Sequence, residues 1–269
     1  GRTFIAGTFD KYNEEEVGKV RYSISIGGVN SLDKFYEEDY LIIGHLPITA
    51  MTMFREQAIW FNRQEFYRII FPNIADPWEF ADSESGQGAI NQKCVVSTPY
   101  GVIFANENGI WITDGGKAIS LTNNQQTNSS IEGIYQYLLT NTQNKNINIH
   151  IPGKVIINEV SKHNEYLELA YSINTDELIV STPLFNDTLD KPIATLQLIM
   201  SLKEHKWKAY KYEYPEEMYS TGKIMQQHNR LGSMYYYDGS NMIFVNYGDM
   251  NNNHAVSFNE LNNKVKKDY

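Results

Sequence analysis

Four carboxylates crowd the stretch NIADPWEFADSESG: Asp76, Glu79, Asp82 and Glu84, with Trp78 among them. Glycoside hydrolysis needs two carboxyl groups held about 5–9 Å apart across a sugar, and an indole beside them offers a stacking platform. That chemistry depends on convergence, which closeness in sequence does not supply. The simpler reading is an acidic, solvated loop between two sheet units. The sialidase pattern Ser-x-Asp-x-Gly-x-x-Trp does not occur, and Glu14-Glu15-Glu16 reads as a loop charge run rather than a metal site.

The remaining reactive residues are scattered. His45, His150, His163, His205, His228 and His254 form no HxH or HExxH pair, so each reads as a surface or satisfied histidine. Neither a Walker A loop nor a GxSxG elbow is present, and the glycines of SISIGGVN and TDGGK stand where hairpins need them. Cys94 is the single cysteine, which excludes an intramolecular disulfide; inside NQKCVVST it reads as a buried core residue. Tyr210, Tyr212 and Tyr214 alternate in AYKYEYPEEMY and can stack on sugars or bases, but period two more simply marks one face of a strand. The expectation is no catalytic residue, no metal and no cofactor.

Charge narrows the partners. Against 32 acidic residues stand 23 basic ones, a net charge of −9, so the basic footprint that grips nucleic acid is missing. No apolar run approaches the roughly 18–20 residues of a membrane span, and no membrane insertion is expected.

The elements that would position any site are strands. In GVIFANENGIWITDGGKAISL, residues 101–121, apolar runs are separated by NENG and TDGG. Asn-Gly and Asp-Gly favour the positive φ of primed hairpin turns, so Asn108-Gly109 and Asp114-Gly115 each predict a reversal of the chain. Asp238-Gly239 in YYYDGSNMIFV repeats the signal. RTFIAG and KVRYSISIGG flank the acidic loop FDKYNEEEVG, and turn pairs Arg55-Glu56 and Asn62-Arg63 divide TAMTMFREQAIWFNRQEFYRIIF. The SINTDE tip joins two further strands, and KEHK separates IATLQLIMSL from WKAYKY. An aromatic content of 13%, led by 19 Tyr, suits half-buried strand surfaces.

Meanders of about 40 residues following one another predict an all-β chain, a β-propeller of about five or six antiparallel blades over 1–269, with a large β-sandwich as the alternative. The repeats share no Trp-Asp signature. One stretch differs: in TNNQQTNSSIEGIYQYLLTNTQNKN, Ser129 and Glu132 make a capping box, and Ile131, Ile134, Tyr135 and Leu138 make one apolar stripe. This predicts a short helix near 129–140, within an insertion at 122–150, lying on the propeller rim or reaching a neighbour. A second helical turn is expected at SLDKFYEED.

The order of segments resembles the β-propeller domain of the tail tube, or nozzle, proteins of short-tailed bacteriophages. The matching elements are an opening RTFIAG strand (2–7), VRYSISI with a DKFYE turn (20–36) and ITAMTMFREQAIWFNRQEFYRI (48–69). A Gly-rich loop, SESGQGAINQKCVVST (83–98), and the hairpins of 101–121 follow; LKEHKWKAYKY and MYYYDGSNMIFVNYGD resemble the family's Trp-bearing and DG-bearing strands. The resemblance implies a non-enzymatic virion structural protein, either one domain of a longer tail protein or a compact relative. It implies a ring of copies below the portal and adaptor, bound to distal tail proteins, with phage DNA passing only in transit. It also implies residence in the virion tail, after assembly in the host cytoplasm. A carbohydrate- or receptor-binding propeller is the alternative, and a glycoside hydrolase comes after it. The insertion at 122–150 and the acidic loop at 10–18 are the places where partner contacts are expected.

Overall fold

The computed structural model describes residues 3–6, 17–23, 25–26, 29–30, 35–70, 79–124, 129–131, 134–135, 150–151, 154–155, 167–185, 192–213, 226–227, 234–237, 242–245 and 253–255. Every element of three residues or more among them is a strand, apart from one 3-10 turn, and every strand pairing is antiparallel.

Five sheets of three or more strands follow one another along the chain. The first contains β1 (Phe4–Ala6), β2 (Lys19–Tyr22) and β5 (Tyr40–Ile42), with the small ladder β3 (Ser25–Ile26) and β4 (Val29–Asn30) between the last two. The second is the meander β6 (Ala50–Phe54), β7 (Gln57–Phe61), β8 (Glu65–Ile70) and β9 (Glu79–Ser85). The third is β10 (Val95–Thr98), β11 (Gly101–Asn106), β12 (Gly109–Thr113) and β13 (Ile119–Ser120). Two short ladders intervene: β14 (Asn123–Asn124) with β15 (Ser129–Ser130), and β16 (His150–Ile151) with β17 (Lys154–Val155). The fourth sheet joins β18 (Glu168–Ser172), β19 (Glu177–Phe185), β20 (Pro192–Ser201) and β21 (Trp207–Glu213). The fifth is β22 (Gln226–Gln227), β23 (Met234–Tyr237) and β24 (Met242–Val245), after which β25 (Asn253–Ala255) returns to pair with β21.

Alternation decides how these sheets stack. On β7, Ala58 and Trp60 pack with Val20 and Ile43 at the first sheet, while Ile59 and Phe61 face Val102 and Phe104 of the third. On β11, the intervening Ile103 and Ala105 turn the other way, onto Leu169, Leu178 and Val180 of the fourth. On β19, Ile179 points away from that core and joins Ala170 and Ile199 on the fourth sheet's far side. The second and third sheets are therefore each packed between their neighbours in chain order. Phe61, Phe66 and Phe104 bridge the second and third sheets with ring centroids 5.0–5.8 Å apart. The first strands of successive meanders also lie side by side: β6 beside β10, β10 beside β18, and β18 beside β22. Closure of the fifth sheet onto the first is not among the described contacts.

Two local expectations are corrected. The β11–β12 turn is centred on Glu107 and Asn108, since Asn106 pairs with Gly109, and neither central residue has positive φ. The turn is not a primed one, because the Asn106 carboxamide oxygen accepts the N–H groups of Asn108 (2.9 Å) and Gly109 (3.1 Å) and shapes it instead. Gly109 is needed for its φ of 154° and because a Cβ there would meet Thr122 Oγ1 at 2.4 Å. The helix expected at 129–140 does not begin where the sequence suggested. Ser129 and Ser130 pair as a strand with Asn124 and Asn123, so Ser129 does not cap a helix. Ile134 and Tyr135 are helical, and Tyr135 N–H donates to Ile131 O at 2.8 Å. Ile131, Ile134 and Tyr135 are buried between the third and fourth sheets rather than on a rim, while Glu132 and Leu138 lie outside the described residues. So do the acidic loop at 10–16 and Asp238-Gly239.

Asn62 repeats the device of Asn106 at the end of β7, its side-chain oxygen accepting the N–H groups of Gln64 and Glu65 at 2.8 Å each. The connector to the third sheet threads between these two turns. Ala89 N–H donates to Asn62 O at 2.9 Å, and Asn106 Nδ2 donates to Gly88 O at 3.1 Å. A Cβ on Gly88 would lie 2.1 Å from Asn62 O, whereas one on Gly86, with φ of 87°, would meet nothing within 4 Å. Gly88→Ala is therefore expected to cost about 2–3 kcal/mol, because the obstacle is backbone. Gly86→Ala carries only the left-handed penalty of about 1–2 kcal/mol. Thermal melts of the two variants beside the parent check this, and the reverse order would remove the close approach of connector and turn.

Candidate functional site

Of the carboxylates flagged in the sequence, Glu79, Asp82 and Glu84 fall along β9, while Asp76 and Trp78 lie outside the described residues. That strand is the last of its sheet, with β6 at the opposite edge, and extended chain sets residues 79 and 84 roughly 16 Å apart and residues 82 and 84 roughly 7 Å apart. Of the histidines, His45 is exposed, His150 and His254 sit in short ladders opposite Val155 and Lys211, and His205 occupies the β20–β21 turn. His163 and His228 lie outside the described residues, as do Glu14-Glu15-Glu16 and Tyr214. Tyr210 packs against Ala170, Ile179 and Ile199, and Tyr212 pairs with Thr195 and Asn253 along β21. Among the described residues, no group of three or more His, Cys, Asp or Glu side chains is placed to hold a metal ion.

What the fold does bring together are groups from different sheets. Asn91 caps the 3-10 turn Gln92–Cys94, its side chain accepting from the N–H of Lys93 and of Cys94. The three residues of that turn then reach both ways. Gln92 closes the open edge of β6: its carboxamide accepts Met51 N–H at 2.9 Å and donates to Met51 O at 3.0 Å, as a neighbouring strand would. Lys93 Nζ pairs with Glu168 at the start of β18, and Cys94 Sγ donates to Leu167 O at 3.1 Å. One short turn thus binds the second sheet to the fourth across the first strand of the third. Burial pushes the Cys94 thiol far up, so it holds no thiolate with which to act as a nucleophile.

A second joint forms at the opposite ends of the same strands. Asp176, in the β18–β19 turn with φ of 55°, accepts Tyr100 Oη at 2.7 Å and Tyr171 Oη at 2.8 Å. Lys203 Nζ from the β20–β21 turn stands 3.6 Å away, and Leu202 N–H donates to Asp176 O at 3.2 Å. Three turns from two sheets meet on one carboxylate. The hydrogen bonds from Tyr100 and Tyr171 hold Asp176 below its ordinary value, while burial and the bond to Asp176 push Tyr171 up to about 12. The sequence marked SINTDE as a turn but gave no sign that its aspartate reaches Tyr100, 76 positions away. Hydroxyl and carboxylate satisfy one another here. Each joint ties together sheets that are distant in the sequence.

The chain matches no family model, and comparison with curated proteins gives no match. No helix among the described residues is long and apolar enough to cross a membrane.

Two outcomes are expected. Because the folded Asp176 value is depressed, its contribution to stability is complete above the unfolded value of about 4 and is lost as pH falls through the folded one. Tyr171 is raised, so its contribution is complete below about pH 10 and lost as pH rises through about 12. Melting midpoints across pH are expected to show both limbs for the parent and shallower ones for Asp176→Asn; parallel curves would remove the joint's role. Separately, Cys94 is expected to resist thiol reagents in the native chain and to react only on unfolding. Rapid native labelling would contradict its burial.

Proposed function

We propose that this chain is a propeller-type structural unit of a short-tailed bacteriophage tail, contributing to the ring-shaped tube or nozzle through which DNA leaves the virion. The observation that carries the reading is the stacking of consecutive meanders face to face with their first strands adjacent, the arrangement in which blades surround an axis. The segment order that resembles the nozzle family supports it independently. Copies of the chain would form the ring, with portal, adaptor and distal tail proteins above and below.

Particles purified from a phage whose genome encodes this chain provide the test. Mass spectrometry is expected to find the chain in the virion, and electron microscopy with a bound antibody fragment is expected to place it below the portal. Particles that lack the chain, or that carry it only in the capsid shell, would end the proposal.

A further inference from the structure

Asn108-Gly109 is the single Asn-Gly pair in the sequence, and it lies in the turn between β11 and β12. Such a pair carries a chemistry of its own. With no side chain beside it, a glycine nitrogen can approach the preceding carboxamide more closely than that of any other residue. Asn108 is exposed to water, whereas Asn106 and Gly109 are buried. Gly109 N–H is also engaged: it donates to Asn106 Oδ1 at 3.1 Å, beside the bond from Asn108 N–H to the same oxygen at 2.9 Å. The Asn106 carboxamide is held from its other sides. Its nitrogen donates to Gly88 O at 3.1 Å, and its oxygen accepts Trp111 Nε1–H at 3.1 Å. Packing fixes the glycine as well, since a Cβ at position 109 would collide with Thr122 Oγ1. The sequence therefore keeps a reactive pair at this turn, and the fold places a restraint on the reacting atom.

We propose that Asn108 is the chain's site of spontaneous deamidation, and that Asn106 holds the reaction back by retaining the Gly109 amide proton. In the reaction the Gly109 nitrogen attacks Asn108 Cγ. An N–Cγ bond forms, the Cγ–Nδ2 bond breaks, and ammonia leaves with the proton that the Gly109 nitrogen gave up. Water then opens the five-membered imide at one carbonyl or the other, which leaves an aspartate or an isoaspartate at position 108. The attacking nitrogen must first lose its proton, and in the folded chain that proton is committed to Asn106 Oδ1. The reaction therefore waits for the turn to open. Its isoaspartate product does not fit the same turn, because the main chain then runs through one more carbon. Pairing is continuous from Asn106 and Gly109 to Val102 and Thr113, so the ladder has no slack to absorb it. This chemistry goes beyond the tail reading and does not depend on it: the imaging of virions and the measurement below can fail separately.

The whole chain, folded or in guanidinium chloride, is incubated at mildly alkaline pH and followed by peptide mapping that separates asparagine, aspartate and isoaspartate forms. In the denaturant, isoaspartate is expected first at position 108. In the folded chain the same conversion is expected to run about tenfold or more slower. Asn106→Ala is expected to return the folded chain toward the unfolded rate, and Asn108→Gln to abolish the signal at this position. A folded chain that converts as fast as the unfolded one would overturn the proposal, as would isoaspartate gathering first at another asparagine in the denaturant. So would a folded Asn106→Ala protein that converts as slowly as the parent, because burial alone would then be the protection. Should Asn106→Ala not fold, hydrogen exchange of the parent decides. A protected Gly109 amide upholds the restraint, and one that exchanges as in an unfolded chain overturns it.

Discussion

Burial on both faces is the constraint from which the rest of this structure follows. All six residues of β11, from Gly101 to Asn106, are buried. A strand with that environment cannot alternate apolar with polar; Val102 and Phe104 serve one interface while Ile103 and Ala105 serve the next. β7 makes the same demand through Ala58, Ile59, Trp60 and Phe61. Once the second strand of a meander is apolar on both sides, as β7 and β11 are, its sheet needs two neighbours, and a stack in chain order supplies them with the shortest connections.

Such a stack leaves polar groups with few places to go, and they collect at the strand ends. Asn106 shows how completely one side chain can be used. Its oxygen accepts from Asn108 N–H, Gly109 N–H and Trp111 Nε1–H, its nitrogen donates to Gly88 O and Gln87 Oε1, and its backbone oxygen accepts Tyr135 Oη. A buried carboxamide with every partner met rigidifies its surroundings, whereas one left half-satisfied would cost about 1–3 kcal/mol. The connector through Gly88 and the turn at Gln92–Cys94 rely on the same economy: side chains complete edges and turns that no further strand covers.

Much of this was legible before any coordinates. Hairpin chemistry at SINTDE and KEHK, the strand character of the apolar runs and the burial of Cys94 all follow from local pattern, because each depends on neighbours within a few residues. The fold class was legible for the same reason. Less visible was the repeat itself. Trp-Asp was the wrong signature to seek; the shared residue is the asparagine that ends the second strand, Asn62 and Asn106, and Asn186 follows β19 at the matching place in the sequence. The apolar stripe of Ile131, Ile134 and Tyr135 was read as helical by period, and the bond from Tyr135 N–H to Ile131 O keeps that turn; what the period could not show is its place in the core between two sheets. Asp176 and Tyr100 meet only because two turns fall at the same end of adjacent sheets, and no local rule carries that information.

The order of stacking has a consequence for how the molecule comes into being. A chain emerging from the ribosome presents its second sheet complete by Ser85, with Ile59, Phe61 and Phe66 uncovered on the side that Val102 and Phe104 will later close. The next segment to appear is the one that fits. Gln92 secures the β6 edge, and Lys93 and Cys94 stand ready some 70 positions before Glu168 and Leu167 arrive to meet them. Each new sheet can therefore dock on a finished predecessor rather than search the whole polypeptide, which lets an all-β protein avoid much of the delay that distant strand pairing imposes. The exposed interval is the stretch between one sheet and the next, when an apolar face and an open strand edge await their partners. In the finished molecule the carboxamide of Gln92 takes up the N–H and O of Met51 at the β6 edge, which removes one pairing position from it.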